Sequence, residues 1–310
     1  MSLLKNSIPT NLAKEKIKFF ASNTYNPIFQ YKQQITPENL TKYGQPSREL
    51  FEFSLAMLKQ HGIENPQNSD FLTKSEIEII ANDLCLELRI DQIPVIYSAH
   101  RTSKIAISQH GLIIREPITL TRSGIQHNLN HEIQTHYLRS MNNKNQPWKS
   151  QPQRDVIFRR TEEGLANLHN SLHKGDKFLL FSFVHYFSNY LAITKSFREV
   201  FDALVELGLS PERAWNVTLR KKRGLTDTSQ PGGFTKDIVY LEGAIIVWKW
   251  LMANNDPKRL YLGKIAVEEV EKFWPIANKQ HLLYPTFFRN MTDYLQEIAE
   301  IGKVNQFDLL

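Results

Sequence analysis

Cysteine is almost absent from this chain of 310 residues, in which Cys85 stands alone. A lone cysteine has no partner within the chain, so a disulfide-stapled secreted scaffold is excluded and a reducing compartment is expected. Long hydrophobic runs are lacking as well. The most apolar stretches, 177–193 and 238–252, are interrupted by charged residues or histidine and fall short of the roughly 20 apolar residues of a membrane span. The sequence therefore predicts a cytoplasmic protein without a membrane partner.

The excess of positive over negative residues is also small. The chain has 38 Lys and Arg against 32 Asp and Glu, which gives a formal net charge of +6. Hydrophobic residues make up 41% and charged residues 23%, a balance typical of globular proteins that excludes disordered, collagen-like and coiled-coil chains. The mild positive charge favours an acidic partner or substrate without identifying it.

Helical periodicity dominates the pattern of apolar residues. The capping-box sequence at Thr73–Glu76 and the pair Ser210-Pro211 each predict a helix start. The segments that predict β-strands are short, and His110-Gly111 predicts a hairpin turn between the last two. The strands are expected at 94–99, 104–108 and 112–115, and helices at 47–62, 121–140, 160–172, 177–207, 236–252 and 285–301. This order predicts an α+β fold, predominantly α-helical, with a small β-sheet beside the helix at 121–140.

Three histidines fall within ten residues of that helix, at positions 127, 131 and 136. The order His131-Glu132-x-x-x-His136 is similar to the zinc-protease pattern H-E-x-x-H, with one residue inserted. Residues five apart in an ideal α-helix are separated by about 140° around the axis, too far for two imidazoles to share one ion. Three alternatives could bring two ligands together: a π-type widening of the helix, a helix end between the histidines, or a His127–His131 pair. The remaining alternative is that these are surface histidines that bind no metal.

Two further segments carry charged side chains that could act in a site. Glu162-Glu163 begins the run E-E-G-L-A and could supply a carboxylate to a metal, although acidic residues also stabilise helix N-termini. The basic run 220–223 precedes a loop rich in Gly, Ser and Thr. That run could cap a helix C-terminus, bind a carboxylate or bind nucleic acid, and the lack of interleaved aromatics disfavours nucleic acid.

The order of these motifs resembles the MATCAP family, the microtubule-associated tyrosine carboxypeptidases and their bacterial relatives. The family's H-E-x-x-x-H and E-G-L-A motifs match His131–His136 and Glu163–Ala166. Other segments follow in family order: 25–31, 222–224, 227–229, 231–232, 234–237, 239–241 and 262–264. One departure is Gln134, where the family commonly has glycine. Because the motifs run continuously, we expect a single metallopeptidase catalytic domain at 46–310, with residues 1–45 as an N-terminal extension packing on it.

The resemblance implies a zincin-like metallopeptidase in which His131, His136 and Glu163 bind one zinc ion per chain and Glu132 is the catalytic carboxylate. The implied activity is a metallocarboxypeptidase that hydrolyses the C-terminal peptide bond of a peptide or protein, with acidic tubulin-like tails ending in tyrosine as candidate substrates. The alternatives are an endopeptidase or aminopeptidase with the same metal site, or a non-catalytic binding module. No nucleic-acid partner is expected. The candidate substrate-binding residues, chosen by residue type, are Arg223, Lys222, Lys236, Tyr240 and Arg139.

Overall fold

The computed structural model describes residues 8–33, 35–63, 70–99, 103–150 and 155–310. Helices form most of the regular structure in these ranges. The α-helices are α1 (Leu12–Phe20), α2 (Pro37–Thr41), α3 (Arg48–His61), α4 (Lys74–Leu88), α5 (Arg122–His131), α6 (Leu138–Asn143), α7 (Asp155–Asn170), α8 (Leu180–Thr194), α9 (Phe197–Glu206), α10 (Pro211–Lys222), α11 (Ile238–Met252), α12 (Val270–Phe273) and α13 (Met291–Val304). A π-helical segment, Glu132–Tyr137, joins α5 to α6 in one continuous helical run.

The chain divides into two compact units, and the division falls inside α11. Unit 1 comprises Met1–Pro66 and Leu179–Leu241. Its helices α8, α9 and α10 pack on one another, and α3 packs against α8. Phe19 of α1 is fully buried, with its ring 4.9 to 5.1 Å from the rings of Phe197, Phe201 and Trp215. The N-terminal segment therefore supplies core side chains to unit 1, while the predicted boundary at residue 45 and the single catalytic domain stay predictions.

Unit 2 comprises Gln67–Phe178 and Glu242–Leu310 and contains the β-sheet. The strands are β1 (Val95–Ser98), β2 (Ile105–Ser108) and β3 (Gly111–Arg115), in the order β1-β3-β2. Strand β1 is parallel and β2 antiparallel to the central β3, so one edge of β2 has no strand partner among the described residues. Buried apolar side chains of α4, the sheet, α5 and the π segment form one hydrophobic cluster, and β2 lies against the π segment. The predicted helical fold with a small sheet beside the histidine-bearing helix is confirmed.

Helix starts follow the capping signals in the sequence. Thr73 accepts a hydrogen bond from the backbone of Glu76, whose side chain accepts from Thr73 in return, so the predicted capping box is confirmed. The prediction of one helix over 177–207 is wrong. A second capping box at Ser196 and Glu199 ends that run and starts α9, because the Ser196 hydroxyl satisfies a helix N–H that a continuous helix would bond internally.

The hairpin turn is also displaced by one residue from its prediction. Ser108 pairs with Gly111, so the turn consists of Gln109 and His110. Gly111 has a φ of +142°, and a Cβ there would lie 2.2 Å from the carbonyl oxygen of Pro94, at the close approach of β1. No helix among the described residues has the length and hydropathy to cross a membrane.

Candidate metal centre

The extra residue between the two histidines is accommodated by the π-helical segment Glu132–Tyr137. A π-helix closes its hydrogen bonds between residues five apart, so it stacks His131 and His136 on one face. Their Nε2 atoms lie 3.1 Å apart, and the ring centroids are separated by 4.8 Å. Of the alternatives left open by the spacing, the widened helix is the one observed.

Side chains within the turn and from distant parts of the chain support this widened turn. The Thr135 hydroxyl donates to the carbonyl oxygen of Asn130 at 2.8 Å, five residues back, and the Tyr261 hydroxyl donates to the carbonyl oxygen of Gln134 at 2.7 Å. The Gln134 side chain is buried, donates to Asn130 Oδ1 at 2.7 Å and accepts from the backbone N–H of Thr286 at 2.7 Å. The glutamine at a position where glycine is common in the family therefore takes part in a closed polar network.

Glu163 of α7 completes a group of three metal-ligand side chains. Its Oε2 atom lies 3.5 Å from His136 Nε2 and 3.9 Å from His131 Nε2. Within the ranges that the structure describes, His131, His136 and Glu163 form the group able to hold an ion, with all ligand atoms within 4.8 Å of one another. His127 lies outside this group, so a His127–His131 ligand pair is not what the structure assembles.

The donor set fits a zinc ion. Two imidazoles and one carboxylate are ligands that zinc uses in catalytic sites, with bonds of about 2.0–2.2 Å. Tetrahedral angles at such bond lengths place ligand atoms about 3.3 Å apart, close to the three separations measured here. Burial, together with the neighbouring His136, lowers the pKa of His131 to about 3. The His131 imidazole is therefore neutral at pH 7, as a metal ligand must be.

Glu132 occupies the first position of the π segment, and strand β2 holds its carboxylate. The backbone N–H of Ile107 donates to Glu132 Oε2 at 2.8 Å. Along an antiparallel strand, the backbone N–H and C=O groups of successive residues point alternately toward the partner strand and away from it. Those of Ala106 and Ser108 point toward β3, so the N–H of Ile107 points away from β3, at the outer edge of β2. The sheet edge therefore fixes the direction of the carboxylate on the residue that follows His131. Ile107 could not be predicted from the sequence, because a backbone donor carries no residue-type signature.

Helix α7 is held in place by a glycine contact with α11. A Cβ on Gly164 would lie 2.0 Å from the carbonyl carbon of Gly243, and a Cβ on Gly243 would lie 1.9 Å from the carbonyl oxygen of Arg160. Backbone therefore meets backbone where the two helices cross, which only glycine permits. Because Gly164 directly follows Glu163, this contact sets how far Glu163 reaches toward the histidines.

We expect Gly164→Ala to destabilise the protein and to weaken metal binding. The added methyl group overlaps backbone atoms that cannot rotate away, so the helices must separate, at a cost of about 1–3 kcal/mol or more. Denaturant unfolding and a zinc titration measure the two effects. Gly175→Ala is the matched control, because a Cβ at Gly175 meets no atom within 4 Å. Equal unfolding free energies for the two variants would contradict the role given to the contact.

Most of the candidate substrate-binding residues lie in unit 1, around the end of α10. Lys222 is fully buried, and its ammonium donates to three carbonyl oxygens, those of Ala192 (2.9 Å), Gln230 (3.0 Å) and Lys195. These bonds use all three N–H groups of the side chain, so they tie the end of α8 and the loop at Gln230 to the end of α10. Lys236 and Tyr240 are half-buried, at a 3-10 turn and in α11.

Arg223 differs from its basic neighbours because two of its guanidinium nitrogens have no hydrogen-bond partner in the part of the chain that the structure describes. Arg220 forms a bidentate ion pair with Asp237 at 2.7 and 2.8 Å, and Lys221 binds the same carboxylate. Arg223 is only 7% exposed and lies over the Phe234 ring at 4.4 Å, yet its Nε and Nη2 atoms have no hydrogen-bond partner among the described residues. Although burial lowers its pKa to about 10, the guanidinium is charged at pH 7. A buried cation with unused donors is suited to an anionic group.

Arg139 lies in unit 2 and is fully buried. Its Nε donates to the carbonyl oxygen of Leu260 and its Nη2 to that of Ile265, both at 2.8 Å. These bonds tie α6 to the segment that follows α11. The contacts account for Arg139 as a structural residue, and its predicted role toward substrate stays a prediction.

Comparison with known proteins agrees with this arrangement. The model of the family described as microtubule-associated tyrosine carboxypeptidase, MATCAP, matches residues 32–308. The chain belongs to the MATCAP family. The matched range extends over most of both units and contains every side chain of the candidate metal centre.

Named MATCAP proteins of mammals are similar over nearly the whole chain. The putative tyrosine carboxypeptidase MATCAP2 of Mus musculus is 31% identical over 96% of this chain and 61% of its own length. The microtubule-associated tyrosine carboxypeptidase 1 of Mus musculus is 32% identical over 97% of this chain and 68% of its own length, and that of Homo sapiens 32% over 97% and 67%. The chain thus spans about two thirds of the length of these relatives.

Proposed function

We propose that this protein is a zinc-dependent metallocarboxypeptidase. The observation that carries the proposal is the convergence of His131, His136 and Glu163 on one point, with the Glu132 carboxylate fixed beside them by Ile107. The names of the MATCAP relatives support peptide-bond hydrolysis at a C-terminus. A non-catalytic zinc module would not need a carboxylate held by backbone at the sheet edge.

The two histidines and Glu163 would hold one zinc ion per chain. Zinc in such a set supplies a Lewis acid for the scissile carbonyl and a water whose pKa is lowered to about 7. Glu132 acts as general base and then as general acid, because it accepts a proton from the attacking water and delivers it to the leaving amine nitrogen. The Ile107 N–H keeps one carboxylate oxygen in a fixed direction throughout, which limits the reorganisation that proton transfer requires.

Carboxypeptidase action also requires recognition of a free α-carboxylate, and Arg223 is our candidate for it. Lys222 is committed to three carbonyl oxygens, whereas Arg223 retains unpaired donors in a buried setting. A guanidinium binds a carboxylate through two parallel N–H···O bonds, and the bonds are strong where water is excluded. The burial of Lys221, Lys222 and Arg223 also argues against a nucleic-acid surface at this basic run.

We expect peptides with a free C-terminus to be cleaved and their C-terminal amides to resist cleavage. Mass spectrometry of paired peptides that differ only in this group measures the preference, and Arg223→Gln should reduce turnover of the free peptide about 30-fold or more. Such a loss is the lower range for truncating one partner of a buried charge pair, about 2–5 kcal/mol. Arg213→Gln, in the first turn of α10, is the control. Equal cleavage of acid and amide would support an endopeptidase instead.

The substrate class follows from the relatives' names and from charge. Relatives named tyrosine carboxypeptidases suggest a C-terminal tyrosine, and "microtubule-associated" suggests an acidic tubulin-like tail. The chain's net charge of +6 suits an acidic peptide. A peptide series ending in tyrosine, phenylalanine, alanine or glutamate tests this preference separately from the metal chemistry.

A further inference from the structure

Glu162 lies directly before Glu163, and these two carboxylates contact opposite sides of the His136 imidazole. Its Oε1 atom is 3.3 Å from His136 Nδ1, whereas Glu163 Oε2 is 3.5 Å from His136 Nε2. The two successive carboxylates of α7 thus bracket the ring of His136. Glu162 is fully buried, so its charge is removed from water at a cost that nearby cations must offset.

Those cations come from a nearby loop and from α7 itself. Lys264 Nζ contacts Glu162 Oε1, the same oxygen that faces His136, and Arg159 Nη1 lies 3.7 Å from Oε2. The loop that presents Lys264 is shaped for this contact. Gly263 has a φ of +134° and packs so closely on Asn143 that a Cβ would lie 2.8 Å from its Oδ1, and that same oxygen accepts the Lys264 backbone N–H at 3.0 Å.

A histidine that binds a metal through Nε2 must carry its proton on Nδ1. A carboxylate facing Nδ1 selects this tautomer, fixes the plane of the ring and raises the basicity of the ligand nitrogen. Simple stabilisation of the N-terminal half of α7 would not require full burial, nor a lysine delivered by a loop with a left-handed glycine. The arrangement around Glu162 has the chemistry of a support for a metal ligand.

We propose that Glu162 is a positioning residue that holds His136 for the metal, and that Lys264 acts through Glu162. This inference rests on the metal site of the proposed function. It also gives a role to the segment 262–264, which follows in the order of the family's motifs. Glu162 itself needs no contact with substrate or ion.

The test is the zinc affinity of purified variants, measured by competition with a chromophoric chelator. We expect Glu162→Gln to weaken zinc binding about 10-fold and Glu162→Ala about 100-fold, the range found when a residue supporting a metal ligand is lost. Glutamine keeps an oxygen that can accept a hydrogen bond from His136 Nδ1 but loses the negative charge of Glu162. Its zinc affinity should therefore fall less than that of the alanine variant. If Glu162→Ala does not fold, the glutamine variant alone decides the result.

Glu297→Gln is the matched control. Glu297 lies in the same unit and forms an ion pair with the buried Lys177 at 2.9 Å, so its loss costs stability without touching a metal ligand. We expect its zinc affinity to stay within twofold of wild type, whatever its unfolding free energy. A variant that loses stability but keeps its zinc affinity separates ligand positioning from general destabilisation.

A double-mutant cycle tests the part played by Lys264. Lys264→Met should change zinc affinity in the wild-type background and leave it unchanged in the Glu162→Gln background, because its effect passes through Glu162. Wild-type zinc affinity in the Glu162 variants that fold would overturn the inference while leaving the proposed function intact. Absence of zinc binding by the wild-type chain would instead overturn the proposed function.

Discussion

Glu132→Gln is expected to abolish most peptidase activity, by about 10²–10⁴-fold in kcat, while zinc content stays at one ion per chain. The amide cannot accept the water proton, so no group beside the metal can pass it to the leaving amine. Glutamine retains the shape of the side chain and an oxygen that can accept from the Ile107 N–H, which keeps the local structure. Peptide turnover, measured together with metal analysis on the same preparation, gives both quantities.

A control must show that the loss comes from chemistry and not from a missing acidic residue. Glu268→Gln removes a surface carboxylate of the same unit, paired with Arg160 at 2.9 Å, and should leave turnover unchanged. Undiminished hydrolysis by the Glu132→Gln enzyme would remove Glu132 from the mechanism. A parallel loss of zinc would show that the variant disturbs the site instead of the proton transfer.

The π turn marks the limit of what the histidine spacing could predict. A five-residue separation excluded a regular α-helix as the ligand scaffold and left three ways to resolve the conflict. The widened turn depends on Tyr261 and Thr286, which lie more than 120 residues away in the sequence and bond to Gln134. Local propensity contains no information about such partners. The motif therefore predicted the residues that meet, while the backbone that lets them meet required the folded chain.

The basic run 220–223 shows the opposite case, in which the residue type suggests a role but does not reveal the partners. Lys222 was chosen as a candidate for substrate binding by residue type alone, and lysine is rarely buried. Its carbonyl acceptors at Ala192 and Lys195 come from the end of α8, about 30 residues earlier. Arg139 is similar, since its carbonyl partners lie more than 120 residues later. Hydrogen-bond partners of buried cations are tertiary features that a sequence pattern does not encode.

Glu163→Gln is expected to weaken zinc binding by more than the 10–100-fold that follows loss of a supporting residue. Removing one anionic ligand leaves His131 and His136 with a neutral amide, whereas catalytic zinc sites use three good protein ligands. Zinc at 100 times its dissociation constant stabilises a folded protein by about 2.7 kcal/mol. The wild-type chain should therefore gain resistance to unfolding when zinc is added, and the Glu163→Gln chain should gain almost none at the same concentration.

His127→Ala decides between the two histidine pairs that the sequence allowed. Burial lowers the pKa of His127 to about 4, so a neutral imidazole by itself does not distinguish it from His131. Position does distinguish it, because Glu163 meets the rings of His131 and His136. We therefore expect His127→Ala to retain zinc-dependent stabilisation and peptidase activity. Loss of zinc in this variant, together with its retention in Glu163→Gln, would contradict the ligand set, since a His127–His131 site needs no carboxylate from α7.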